Sequence, residues 1–138
     1  MTKGVIFFAE HMQQSLWGDI TGWKNTLKKM GVDFYYAIDT TGDIIATDQT
    51  YRCTSFNEAL TRLATEHPEC ETVWFKIGAS VELKDFEHPA NACYIFGQDS
   101  GTTIYTTANH EVKLYAENLW AIECCCIALY DRLYSEIP

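Results

Sequence analysis

The chain opens with an unbroken apolar run, Val5-Ile6-Phe7-Phe8. Such a run predicts a strand covered on both faces. The next apolar positions, Ile20, Trp23, Leu27 and Met30, are spaced three, four and three apart. They predict one face of an amphipathic helix, and Gly31 just behind them suits its stop. Residues 33–38 (Asp-Phe-Tyr-Tyr-Ala-Ile) read as a second strand, and residues 39–50 as a polar loop punctuated by Gly42. Ser55-Phe56-Asn57-Glu58 has the capping-box spacing and, with Leu60 and Leu63, predicts a short helix. That helix closes near His67-Pro68, because proline disfavours helix at the residue before it. Residues 73–77 and 93–96 read as the third and fourth strands. A fifth lies within residues 103–115, where the stretches 104–107 and 112–115 compete, and residues 117–134 are strongly helical.

Strands alternating with helices predict an α/β fold, a parallel sheet with helices on both faces. With 138 residues the chain suits one domain, spanning 1–138. In such sheets ligands bind beyond the carboxyl ends of the strands, which singles out the segments after Ile38, Ile77, Phe96 and the fifth strand. An apolar share of 47% excludes a disordered chain. No run of eighteen apolar residues occurs, and Met1-Thr2-Lys3-Gly4 does not read as a signal peptide. The expectation is a cytoplasmic protein with no membrane partner.

Charge and cysteine usage narrow the chemistry. The net charge is −9, and only Lys24, Lys28 and Lys29 gather on one segment, which argues against strong non-specific nucleic-acid binding. Of six cysteines, Cys124, Cys125 and Cys126 are consecutive, Cys53, Cys70 and Cys93 stand apart, and no C-x-x-C pair exists. Neighbours on a helix point about 100° apart, so the triple cannot converge on one metal. Structural thiols and no metal are expected.

Phosphate-binding glycine loops, H-E-x-x-H and G-x-S-x-G are absent. The information lies in the C-terminal half. Phe86-Glu87-His88-Pro89 leads into Cys93-Tyr94-Ile95-Phe96-Gly97-Gln98-Asp99-Ser100-Gly101. The end of the chain runs from Asn118-Leu119-Trp120-Ala121 to Leu129-Tyr130-Asp131-Arg132. These stretches resemble the SpoU-type (TrmH-like) branch of the SPOUT RNA methyltransferases. There, F-x-H-P precedes a strand ending F-G-x-E-x-x, and N-L-x-x-A-A enters a helix ending L-Y-D-R.

The resemblance implies a C-terminal trefoil knot, an exception to the rule against threaded chains. It implies S-adenosyl-L-methionine as cofactor, held by Ile77, Gly78, Phe96, Gly97, Gln98, Tyr115, Asn118 and Leu119. Gly78 and Gly97 lack a Cβ, so their backbone can approach the adenine; the alternative, that Gly97 and Gly101 only shape a turn, stays open. The implied reaction is methyl transfer to a ribose 2′-hydroxyl of tRNA or another RNA. A two-fold homodimer through the last helix is implied as well. On that helix Leu119, Ile122, Cys126, Leu129 and Leu133 form one stripe, with Ala121, Cys125 and Ala128 on other faces.

The family's first motif, N-x-G-x-x-x-R, is altered here. Aligned back from Gly31-Val32-Asp33-Phe34, Asp19 stands for the Asn, Thr21 for the Gly and Asn25 for the Arg. An amide does not replace a guanidinium that is always charged and donates five hydrogen bonds. In the last motif strict counting puts Trp120 at the family's Asn, and a two-residue shift lets Asn118 fill it. The catalytic candidates are therefore Asn25, Lys24 and Asn118. Two other classes remain: a catalytically silent relative binding S-adenosylmethionine, S-adenosylhomocysteine or a protein, and an unrelated flavodoxin-like binding domain. His88 and Pro89 read as setting the turn before the fourth strand, while Glu10, His11 and Asp39 lie near strand ends. For Asp39 a solvated loop is expected.

Overall fold

The structure is a computed structural model that describes residues 1–9, 20–39, 52–97, 108–114 and 119–137. Its elements are β1 (Lys3–Phe8), α1 (Ile20–Lys29), β2 (Phe34–Ile38), β3 (Arg52–Cys53), α2 (Phe56–Glu66), β4 (Glu71–Phe75), β5 (Val81–Glu82), β6 (Ala92–Phe96), β7 (His110–Lys113) and α3 (Ala121–Ser135). The strands form one sheet in the order β3-β2-β1-β6-β4-β7-β5, and every neighbouring pair is parallel. The α/β expectation holds, with two short edge strands, β3 and β5, that the pattern did not announce.

Side chains alternate across the sheet in register. Val5, Phe7, Val73, Tyr94 and Phe96 point to one face, where Trp23 and Leu27 of α1 and Ile122, Cys125 and Leu129 of α3 cover them. Ile6, Tyr36, Trp74, Cys93 and Ile95 point to the other, beneath Ala59 and Leu63 of α2. Helices thus lie on both faces. The chain steps from β1 to β2 with α1 on the first face, then back from β3 to β4 with α2 on the second. Reversing direction and face together is what a common crossover hand requires.

Local chemistry explains the boundaries. Ser55 caps α2 by accepting from the Glu58 N–H at 3.1 Å, and the Glu58 carboxylate accepts in return from the Thr54 N–H at 2.8 Å. α2 ends at Glu66, in front of the His67-Pro68 stop. β4 stops at Phe75, two residues before its expected end: the Lys76 N–H to the Val112 carbonyl is its last rung to β7, and the Ala79 N–H then closes a turn on Lys76. Of the two candidates for the fifth strand, the one containing Val112 pairs with β4 at residues 110–113. The rival stretch 104–107, and the segments 98–107 and 115–118 on which the expected knot depends, lie outside the described residues.

α3 buries a stripe different from the expected one. Ile122, Cys125, Ala128, Leu129 and Arg132 are buried, whereas Leu119, Cys126 and Leu133 are only half-buried. The small Cys125 and Ala128 let the helix lie close to the sheet, so they take the deepest positions. No helix among the described residues is long and apolar enough to cross a membrane.

Candidate functional site

The expected ligand segments follow β4, β6 and β7, and these three strands are neighbours in the sheet. All three are parallel, so their carboxyl ends lie at one end of the sheet, side by side. Segments separated by up to about forty residues of sequence therefore start from adjacent points.

Behind β4, Ile77 and Gly78 occupy the middle of the turn closed by Ala79 and Lys76. Gly78 has φ +87°, a left-handed conformation that costs a side-chain-bearing residue free energy. A Cβ built on Gly78 would meet no atom within 4 Å, so open space lies beyond it. Ile77, at 85% exposure, turns its apolar side chain outward. Behind β6, Phe96 is buried and Gly97 half-buried; behind β7, Leu119 is half-buried ahead of α3. Gln98, Tyr115 and Asn118 lie outside the described residues.

A row of apolar side chains floors this end. Phe75 of β4 is the register partner of both Phe96 of β6 and Val112 of β7. The Phe75 and Phe96 rings stack at 5.1 Å. Trp23 of α1 stacks on Phe7 at 4.2 Å, 9° from parallel, and leans on Phe96 at 6.4 Å. Trp23 is fully buried, and among the described residues its Nε1 finds no acceptor. An unmet buried donor costs about 1–3 kcal/mol.

The other catalytic candidates are not gathered here. Trp23 and Leu27 turn α1 inward, which leaves Lys24 and Asn25 on its exposed side. Asp39, expected in a solvated loop, is instead buried at the end of β2. Its carboxylate lies 3.6 Å from Arg52 Nε, and Arg52 NH2 donates to its carbonyl at 3.3 Å. Glu10 and His11 lie outside the described residues.

The two C-terminal motifs meet, but at the opposite end of the sheet. Arg132 donates to the carbonyls of Pro89 and Ala90 at 2.7 and 2.8 Å, to the Tyr94 hydroxyl at 3.1 Å and to Glu136 at 2.6 Å. The Tyr94 hydroxyl, which accepts from Arg132, also lies 2.8 Å from His88 Nδ1. His88 Nε2 lies 2.6 Å from the Asp131 carboxylate. The pairing with Arg132 pulls the Glu136 carboxyl below its ordinary range, while burial pushes the Tyr94 hydroxyl up. Tyr94 is fully buried, and through these bonds the cluster clasps α3 to the segment before β6. His88 and Pro89 do set that turn, and Asp131 and Arg132 are what hold it. Sequence reasoning did not link the two motifs; their presence on either side of one strand was the available signal.

The thiols are quiet. Burial pushes Cys93 and Cys125 far up and Cys70 to about 11, so none offers a thiolate near neutral pH. The arrangement at the carboxyl ends supplies backbone groups, an open glycine and apolar surface. That set suits binding of a flat, partly apolar small molecule with polar edges. Searches for relatives add nothing to it: no family model matches the chain, and no curated protein matches it.

Proposed function

We propose that the chain binds S-adenosylmethionine at the carboxyl ends of β4, β6 and β7 and, as a SpoU-like RNA methyltransferase, transfers its methyl group to a ribose 2′-hydroxyl. One observation carries the reading: the strands ahead of the three cofactor segments implied by the resemblance are adjacent and parallel. The residues suit the cofactor. Open space at Gly78 admits a ring edge to backbone groups, and exposed Ile77 offers an apolar surface for it to cover. When bound, the cofactor supplies an electrophilic methyl group on a sulfonium sulfur. The chain's own work is to hold it with Ile77, Gly78, Phe96, Gly97, Gln98, Tyr115, Asn118 and Leu119; of the residues proposed to orient the acceptor hydroxyl, Asn118 follows β7 in sequence, whereas Asn25 and Lys24 stand on the exposed side of α1, away from these segments.

In this reading two copies pair through α3. The helix leaves Ile127, Tyr130 and Tyr134 exposed along one side, and Ile137 just behind it is exposed too, an apolar stripe of the kind that marks an interface. The α1 helix beside it, joined by the Thr26–Cys126 hydrogen bond, presents Lys24 and Lys28 to solvent, while α3 presents Glu123. A two-fold axis would set those opposite charges against each other.

A second reading has its own support. Asn25 stands where the family's Arg is expected and sits on the exposed side of α1, and the net charge of −9 opposes RNA binding. On that reading the chain binds S-adenosylmethionine or S-adenosylhomocysteine without transferring a methyl group. Calorimetry with both ligands tests the shared part, and binding of neither sinks both readings. Transfer of labelled methyl to tRNA then separates them. Gly97→Val should abolish cofactor binding, and undiminished affinity would remove backbone approach as the mechanism.

A further inference from the structure

A groove lined wholly by described residues opens beside the clasp that joins α3 to the segment before β6. It measures about 550 Å³ and runs between residues 83–88, which follow β5, and the last turns of α3. Small-molecule sites span about 300–1,000 Å³, so the size suits a ligand. Both walls are held. Buried Leu83 anchors the 3₁₀ turn Leu83–Asp85, and His88 on this wall lies 2.6 Å from Asp131 on the other. None of these residues belongs to the cofactor segments.

The walls carry charge of one sign with apolar surface between. Asp85 and Glu87, both exposed, stand on the first wall and Asp131 on the second. Lys84, the lysine of the lining, is turned to Glu82 at 3.5 Å. His88 takes one oxygen of Asp131, yet that carboxylate stays 38% exposed and within reach of solvent. Tyr134 and Ser135 follow Asp131 by three and four residues, so they share its side of the helix. Tyr134 is exposed, and Phe86 lines the opposite wall with its ring edge-on to His88 at 5.2 Å. Ser135 spends its hydroxyl proton on the Arg132 carbonyl at 2.6 Å, which leaves its oxygen to accept.

We infer that this groove binds a linear organic polyamine, whose ammonium groups pair with Asp85, Glu87 and Asp131 and whose methylene chain crosses Phe86 and Tyr134. Like charges on facing walls repel, and a cation between them reverses the sign of that interaction. Each ammonium has three protons to donate and no lone pair, which matches a lining of acceptors. Aromatic faces add attraction for the same cation. The alternatives fit less well. An anion meets three carboxylates, and an apolar ligand strips them of water with nothing in return. A divalent metal needs its ligands converging on one point, and no three His, Cys, Asp or Glu among the described residues do so. A polyamine spreads its charge along a chain, as the groove spreads its carboxylates along two walls.

The test is calorimetry of the full chain with spermidine at low salt, beside 1,8-octanediol as a neutral chain. Spermidine should bind saturably and the diol should not; no saturable binding of spermidine, or equal binding of the diol, overturns the inference. Asp85→Asn and Glu87→Gln should each weaken spermidine by about two- to fivefold, the range of exposed ion pairs. Both side chains are exposed, so these changes leave the fold intact. Glu111→Gln removes the same charge from the sheet face opposite α3, since its neighbour Val112 points toward the helix. It should leave the affinity unchanged. Equal weakening by Glu111→Gln would assign the binding to general attraction by a chain of net charge −9 and overturn the site. Proton–nitrogen spectra of the wild-type chain locate the ligand without any variant. The amides of Phe86, Glu87 and Tyr134 should shift on adding spermidine, and shifts confined to other residues overturn the inference.

Discussion

Gly4 shows how a single residue sets the packing at the amino end of the sheet. It is the register partner of Phe34, and a Cβ on Gly4 would overlap the Phe34 ring. That ring cannot easily retreat, because it stacks on His67 at 3.7 Å and tilts against Tyr36. Gly4→Ala should therefore destabilise the protein by about 1–3 kcal/mol through overpacking, read as a lowered urea midpoint with an unchanged slope. A midpoint equal to that of the wild-type chain would show that Phe34 swings aside. The reason for this glycine is not legible in the sequence, where it merely precedes an apolar run. Its partner is thirty residues away, and only the register brings the two together.

Among the elements, α3 depends most on a polar contact. Arg132 is buried at the helix's last turn, with two backbone carbonyls, a tyrosine hydroxyl and a carboxylate around it. Arg132→Met should cost about 3 kcal/mol, since it leaves those acceptors buried without a donor. Arg132→Lys should recover little, because an ammonium cannot span acceptors arranged for a planar fork. Full recovery of the thermal midpoint by the lysine variant would mean that charge, not fork geometry, holds the clasp. Much of this level was legible: the runs at Val5 and Cys93, the capping box at Ser55 and the terminal helix all stand where periodicity put them. What escaped was set by contacts across the sheet. β4 ends early because the chain turns back on Lys76 at Ala79, and β3 and β5 exist only as edge pairings of two residues each. The face that α3 buries was misjudged because the small residues, not the largest ones, lie nearest the sheet. For the candidate site, composition led to the loops after the strands, yet adjacency of those strands is a property of topology alone.

At the scale of the whole molecule, the thiols and the acidic balance together predict a response to alkali. Burial pushes up Cys93 and Cys125 far above the ordinary thiol value, and Cys53, Cys70 and Cys126 are raised as well. In the unfolded chain these groups ionise near pH 8.5. Above that point the unfolded state holds fewer protons than the folded one, so the sign of the linkage makes stability fall as pH rises. Below it, both states hold the thiol protons and the contribution is fully present. Self-repulsion from a net charge of −9 at neutral pH works in the same direction as further groups lose protons. The two causes separate by substitution: replacing Cys93 and Cys125 with alanine removes the deepest thiols and leaves the charge at neutral pH unchanged. Under reducing conditions, the urea midpoint of the wild-type chain should hold up to the unfolded thiol value of about pH 8.5 and fall above it, the loss continuing toward the raised folded values, about 11 for Cys70. The double alanine variant should start lower, because it loses buried side-chain volume, and then decline less. Parallel declines in the two proteins would assign the alkaline loss to overall charge and not to the buried thiols.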